Sequence, residues 1–172
     1  NDGKGTLISL EDESMENALV SGIAFQKDQV KFTLHGVGDI PGTAFKILGP
    51  ISDAEIEVDV IVQNVSVDGK TDFTFTVSSE DQDAVKNVLE DIKNEVNYRE
   101  LIVDSDIAKV SLVGVGMRSQ AGVASKAFKA LSENNVNIQI ICTSEIKITM
   151  VIDEELIDKT VSILHKEFEL EK

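Results

Sequence analysis

Residues 31–64 read KFTLHGVGDIPGTAFKILGPISDAEIEVDVIVQN, and the same arrangement returns at 109–144 as KVSLVGVGMRSQAGVASKAFKALSENNVNIQIICTS. Placing Gly42 on Gly122 brings Ala44 onto Ala124, Lys46 onto Lys126, Ser52 onto Ser132 and Val60 onto Ile140 without a gap. Upstream of those glycines the register differs by two residues. Gly36-Val37-Gly38 meets Gly114-Val115-Gly116, while Asp39-Ile40-Pro41 faces the longer Met117 to Ala121, so the insertion falls in a loop. A period of about 80 residues in a 172-residue chain is too long for most solenoid units and suits a small αβ module duplicated once.

Outward from these blocks, the first copy reads βαββαβ. Val30, Phe32 and Leu34 alternate with Lys31, Thr33 and His35, the period of a strand with one buried face. Gly36 and Gly38 break it. Pro41-Gly42 then opens a helix, proline suiting a first turn whose N–H groups lack partners, with Asp39 just before the positive end of the helix dipole. Ala44, Ile47, Leu48 and Ile51 form its apolar stripe, and Gly49-Pro50 predicts a distorted or shortened end. Ile56, Val58, Val60 and Val62 predict a second strand, Val67-Asp68-Gly69-Lys70 a hairpin turn, and Asp72 to Val77 a third strand. Ser79 is the expected cap of a helix over 80–96, and Leu101-Ile102-Val103 the fourth strand.

The second copy predicts strand 109–115, helix 121–133, strands 136–142 and 146–152 and helix 154–168, with no fourth strand after it. Leu19 to Gln26, bounded by the polar Lys27-Asp28-Gln29, is a strand candidate without a place in the first copy. It is expected to complete the second module, so that the first is inserted within it. The expected domains are a linker at 1–18, a first module at 30–105, and a second built from 19–29 plus 106–172. The fold class is α+β, with antiparallel sheets and helices on one face. The absence of an initiator methionine makes the chain, on this reading, a fragment or a processed product.

Apolar residues make up 42% of the chain, enough for two modest cores; Trp is absent and aromatics are 5%, so both cores are expected to be aliphatic. A net charge of −15 repels phosphate backbones and anionic lipid, which argues against nucleic acid and membrane partners. No apolar run approaches the ~20 residues of a membrane span. The single cysteine, Cys142, cannot form an internal disulfide and fits a reducing, cytoplasmic setting, with burial as a small hydrophobe its expected role. Neither Gly-x-Gly has the third glycine and the acid of a dinucleotide fingerprint, and no His, Cys and acid cluster has metal-ligand spacing. His35 and His165 are isolated and read as surface or packing residues. No catalytic residue, metal ligand or cofactor is assigned.

One constellation remains, the loop Val37 to Ala44 at a helix start. Its free N–H groups suit a carboxylate, and Asp39 beside them could hold an ammonium group, a pairing that matches an amino acid. Gln63, Asn135 and Asn137 supply neutral donors and acceptors able to fix a polar side chain. On the residues alone, the alternative is that Asp39 caps the helix and the asparagines belong to a turn.

The blocks GVGDIPGTAFKI, VDVIVQNVS, TDFTFTV, KVSLVGVGMRSQAGVASKAFKAL and VNIQIICTSEI closely resemble the tandem ACT domains of aspartokinase, the enzyme that phosphorylates aspartate in lysine, threonine and methionine synthesis. The resemblance covers nearly the whole chain, GTLI and EDESMENALVSGIA resembling the link from the kinase domain. It implies two ferredoxin-like modules, a homodimer through them, and an aspartokinase catalytic domain or subunit as partner; ATP and magnesium belong to that kinase part, whose Gly-Gly motif has no counterpart here. It also implies threonine, lysine or both as feedback effectors. Carried over by position, threonine meets Asp39 with its ammonium, the main chain of Ile40, Pro41, Gly42, Thr43 and Ala44 with its carboxylate, and Gln63. Asn135, Asn137 and Ile138 of a facing second module close the site, and Ala124 and Ser125 line the matching helix start. A lysine effector uses Glu57, Val58 and Asp59, expected beside the first loop. A dimerisation scaffold with an empty ligand site is the competing reading. The chain departs from its family at Ile40, often lysine, and at Gln120-Ala121, where His-Pro is common.

Overall fold

The computed structural model describes residues 20–64, 68–114 and 122–170. The expected linker at 1–18, the insertion at Met117 to Ala121 and the middle of the 64–70 turn lie outside them. The chain divides into two compact units. Module A comprises Gln26–Lys109 with Asp153–Glu155; module B comprises the described residues up to Phe25, Val110–Ile152 and the stretch from Leu156 onward.

Along the chain run β1 (Gly22–Gly38), α1 (Thr43–Asp53), β2 (Ile61–Gln63), β3 (Lys70–Ser78), α2 (Gln82–Asp91), α3 (Lys93–Val96) and β4 (Glu100–Val113). They are followed by α4 (Val123–Glu133), β5 (Ile140–Thr143), β6 (Lys147–Asp153) and α5 (Ile157–Glu167). The class is α+β, helices on antiparallel sheet. In module A the strands lie in the order β2-β3-β1-β4. β3 pairs antiparallel with β1 so that Val30 faces Val77, Phe32 faces Phe75 and Leu34 faces Phe73. Because side chains directly opposite share a face, this register gathers the apolar sets of both strands on one side. The hydroxyls of Thr33 and Thr74 meet at 3.1 Å on the other.

The core of module A is not aliphatic as composition predicted. Phe32, Phe73 and Phe75 are fully buried, with Phe32 stacked on Phe75 at 5.5 Å between centroids and Phe73 tilted against Phe75 at 6.3 Å. Three of the seven phenylalanines are gathered here, and each ring removes a large apolar area from water. Ile47 and Ile51 of α1, Val85 and Leu89 of α2, and Tyr98 complete this core. The Tyr98 hydroxyl donates to the Leu89 carbonyl at 3.2 Å, which satisfies a buried phenol and holds the end of α2.

Module B, with strand order β1-β4-β6-β5, repeats the plan with smaller side chains. Val110, Leu112, Ala127, Ala130, Leu131, Met150, Ile152 and Leu164 are buried, α4 packs on α5, and Ser111 and Thr149 hydroxyls meet at 2.8 Å where module A has its threonine pair. Ser21 donates its N–H to Val113 at 2.7 Å, which sets the start of β1 against the end of β4.

Several boundaries differ from the sequence reading. β1 does not stop at Lys27-Asp28-Gln29 but passes through, Asp28 taking a positive φ of 54°, a conformation aspartate tolerates, and giving its N–H to Glu154. α1 begins at Thr43, so Pro41 precedes the helix rather than occupying its first turn. Pro50 does not shorten it: α1 runs to Asp53, since the N–H lost there costs one bond in a helix otherwise packed through Ile47 and Ile51. The helix over 80–96 is capped by Ser78, not Ser79, and is broken at Ile92 into α2 and α3. The second strands of both copies are short. Ahead of β2, Asp59 and Val60 still bond Thr76, and ahead of β5 Gln139 donates to Val151, irregular pairing that alternation alone does not distinguish from strand.

Candidate functional site

Module A places the loop 38–42 at the end of the sheet where β1 finishes and β3 starts. Gly38 pairs with Lys70, and Asp39 donates its N–H to Gly69 at 2.9 Å. The chain then turns tightly: Ile40 donates to Gly38 at 3.0 Å, Thr43 donates its N–H to Ile40 at 3.2 Å, and the Thr43 hydroxyl donates to Gly38 at 2.8 Å. Gly42 takes φ 95°, a conformation that a side chain disfavours, and from it α1 departs. The N–H groups of Ala44 and Phe45 find no acceptor among the described residues, as the first turn of a helix dictates. The Asp39 carboxylate is exposed, is not a side-chain cap of α1, and has no partner among the described residues. The positive end of α1 and an uncommitted carboxylate are thus within one turn of chain.

Gln63, at the exposed end of β2, faces Phe73, and the next residue, Asn64, donates to Asp72. The structure therefore brings Gln63 to the same end of the sheet as Asp39, Ile40, Pro41, Gly42, Thr43 and Ala44. Glu57, Val58 and Asp59 are not beside the loop. Asp59 bonds Thr76, five residues along β3 from Thr71 and so about 17 Å from the loop end. That distance corrects the expectation from sequence, where the helix between them hid its own length. Asp59 is also already paired with the ammonium of Lys109, a lysine buried to 4% exposure.

In module B, Ala124 and Ser125 open α4 behind Gly122, whose φ of 114° repeats the start of α1. Asn135, Asn137 and Ile138 follow the other end of α4. Asn135 adopts φ 55° and donates its N–H to Ser132, the position held by Glu55 at φ 59° in module A. Asn137 and Ile138 repeat Glu57 and Val58 by the same register. Within module B these two sets are separated by the length of α4.

Comparison with known proteins fits this geometry. Family models of the ACT domain match residues 34–97 and 110–168. A solved structure of aspartokinase alpha and beta subunits is 45% identical, with a TM-score of 0.82 over 88% of this chain and 99% of that one. The chain belongs to the aspartokinase family, as its ACT-domain regulatory region. The ligand-free regulatory subunit of aspartate kinase from Thermus thermophilus is 34% identical, with a TM-score of 0.82 over 87% of this chain and 99% of that chain. An aspartate kinase of Pseudomonas fluorescens (strain SBW25) is 56% identical over 99% of this chain and 41% of its own length. The chain thus spans about two fifths of such an aspartokinase, the ACT-domain part. No helix among the described residues is long and apolar enough to cross a membrane.

Two features of the site escaped the sequence reading. His35 is not an isolated side chain: its Nδ1 lies 3.0 Å from Asp72 Oδ2. Asp72 also accepts the Gly36 N–H at 3.0 Å. That N–H is the largest cause holding the Asp72 carboxyl below its ordinary value; burial opposes it, and His35 and Arg99 add to the lowering. The positive φ of Gly36, 72°, marks a bulge, and a glycine in a strand was its only signal in sequence.

Proposed function

We propose that the chain is the amino-acid sensor of an aspartokinase, binding threonine at the loop Asp39 to Ala44 and thereby controlling the phosphorylation of aspartate by a kinase part. The observation that carries it is the Asp39 carboxylate beside the N–H groups of Ala44 and Phe45, none of which has a partner among the described residues. An α-amino acid presents an ammonium and a carboxylate on one carbon, and this turn offers a partner to each. Gln63 at the same sheet end suits the threonine hydroxyl. Asn135, Asn137 and Ile138, supplied by a second copy of the chain, close the site, so that ligand and dimer are linked, and Ala124 and Ser125 line the equivalent helix start in module B. Lysine at Glu57, Val58 and Asp59 is the weaker reading, because Asp59 is committed to Lys109 and only Glu57 is left to receive an ε-ammonium.

A ligand that contacts two modules stabilises the arrangement it fits best, and the kinase responds to that shift. Coupling of about 1–3 kcal/mol, typical of such systems, changes affinity roughly 5- to 150-fold. Isothermal titration of the chain with threonine and with lysine, with light scattering on the same samples, tests the reading. Threonine saturation with a dimer, lost in Asp39→Ala at unchanged melting temperature, is the expected result. Unaltered affinity in Asp39→Ala removes the assignment, and a folded dimer silent to both amino acids supports the scaffold instead.

A further inference from the structure

β1 and β3 pair residue for residue from Gln29 with Ser78 to Leu34 with Phe73, and resume at Val37 with Thr71. Between these, two residues of β1, His35 and Gly36, face the single residue Asp72. Such a bulge leaves one residue outside the ladder and re-aims the strand beyond it, here the last two residues before the effector loop. Gly36 sits at φ 72°, and a Cβ there would meet the Arg99 Cβ at 3.2 Å, so both conformation and space restrict the position to glycine. Arg99 in turn donates its N–H to the His35 carbonyl at 2.8 Å. The N–H that the bulge leaves over, that of Gly36, is taken by a side chain, Asp72 Oδ1, and the second oxygen of the same carboxylate holds His35.

The second copy differs at the corresponding glycine. There Gly114, the counterpart of Gly36, donates its N–H to the backbone carbonyl of Ile146 at 3.0 Å, and Val113 stands where His35 does. At the bulge of module A a carboxylate and an imidazole meet, and Gly36 there stands three residues before Asp39 and its turn.

We propose that Asp72 is a positioning residue for the effector loop: it fixes the Gly36 bulge that aims Gly38 to Gly42, and through His35 it makes the loop's grip on an amino acid depend on pH. The dependence on an amino acid rests on the sensor reading above. An imidazole gains its charge between about pH 8 and 5, and the charged form attracts the carboxylate more strongly. The charged residue in contact with His35 is Asp72 of β3, and the charged residues flanking Gly36 beside it are Lys70 of β3 and Arg99 ahead of β4. Of these only Asp72 is an acid, and it is the one in contact. Affinity for threonine therefore rises as pH falls from 8 to 5, by about two- to fivefold, the range a partly exposed ion pair supplies.

The test uses the full chain, comparing wild type with Asp72→Asn, Asp72→Ala and His35→Val. Amide resonances of Gly36, Gly38, Asp39 and Thr43 are followed from pH 8 to 5 without ligand, and threonine affinity is titrated over the same range. Expected are loop amides that move with pH in the wild type and are static in Asp72→Asn and His35→Val, and an affinity lowered at least about fivefold in Asp72→Ala. Asp72→Asn keeps an acceptor for Gly36, so it retains the fold and loses only the pH response. A destabilised but correctly aimed loop would shift the melting temperature and leave these profiles alone. Loop amides and affinity profiles in Asp72→Asn and Asp72→Ala that match wild type overturn the proposal. If the wild type takes up no amino acid, the sensor reading falls, and the loop amides of the same variants decide on Asp72 independently.

Discussion

In module A the first helix starts from Gly42 at φ 95°, in module B from Gly122 at φ 114°, and in both the N–H four residues on, Lys46 or Lys126, returns to that glycine. Both lysines also reach an acid on another helix of their own module, Glu95 or Glu167. What surrounds this shared backbone differs. Module A has three phenylalanines in its core and ties its bulge with a carboxylate, whereas module B is filled by alanine, valine, leucine, isoleucine and methionine and ties its glycine to a carbonyl. The lesson is that the helix start is the duplicated part, held by a steric requirement on one glycine. Packing and the polar clasp beside it are free to diverge, and in the copy with Asp39 in its turn the clasp is made by the titratable pair His35 and Asp72.

The sharpest way to break the comparison is in the cores. Phe75→Ala removes a ring stacked on Phe32 and should lower stability by about 3–5 kcal/mol, read by chemical denaturation. Ala130→Gly in module B should cost about 1 kcal/mol. Equal losses would show that the aromatic cluster is not where the stability of module A resides. Gly42→Ala and Gly122→Ala come next, each costing about 1–3 kcal/mol through its positive φ. They should agree with each other, and only the first should also weaken threonine binding. A difference between their melting temperatures beyond error would mean that the two helix starts are not equivalent.

Tyr98→Phe should cost about 0.5–1.5 kcal/mol by removing the bond to Leu89. Burial, with Glu90 behind it, raises the Tyr98 phenol above its usual 10.0. A raised acid favours the folded state fully below its unfolded value, and that advantage disappears as pH climbs from 10.0 through the folded value. The wild type should therefore lose stability over Tyr98→Phe on the alkaline side only. The smallest effect belongs to Asp72. Its carboxyl is lowered from 3.8, so its contribution is present above that value and is lost as pH falls below it. Melting curves of wild type and Asp72→Asn should converge as pH drops below 3.8, and parallel curves would show that Gly36 and His35 do not select the ionised form.

Legibility in the sequence followed the range of the interaction. The duplication, the strand at Val30 to Leu34 and both helix starts rest on local periodicity and on glycines that no other residue replaces easily, and these were readable. The place of Asp39 in an exposed turn just ahead of α1 was readable too, because it depends only on neighbours in sequence. The passage of β1 through Lys27-Asp28-Gln29 was not, since it depends on Asp28 accepting a left-handed conformation and on Glu154, far along the chain. Nor were the Asp59 to Lys109 pair, the Phe32 to Phe75 stack and the His35 to Asp72 contact, which join residues brought together by strand order alone. The count of aromatics was misleading for the same reason: composition records how many phenylalanines there are, not that the register of β1 on β3 assembles three of them in one core.

Cys142 was expected in a core and is exposed, on the outer strand β5, where Ile141 beside it is also open to solvent at 47%. It is the chain's single thiol. A maleimide dye or a nitroxide will therefore attach at one defined point on module B without any mutagenesis, remote in sequence from the turn at Asp39. Disulfide cross-linking through that sulfur joins at most two chains, so a non-reducing gel of this chain has only a monomer and a dimer band to show.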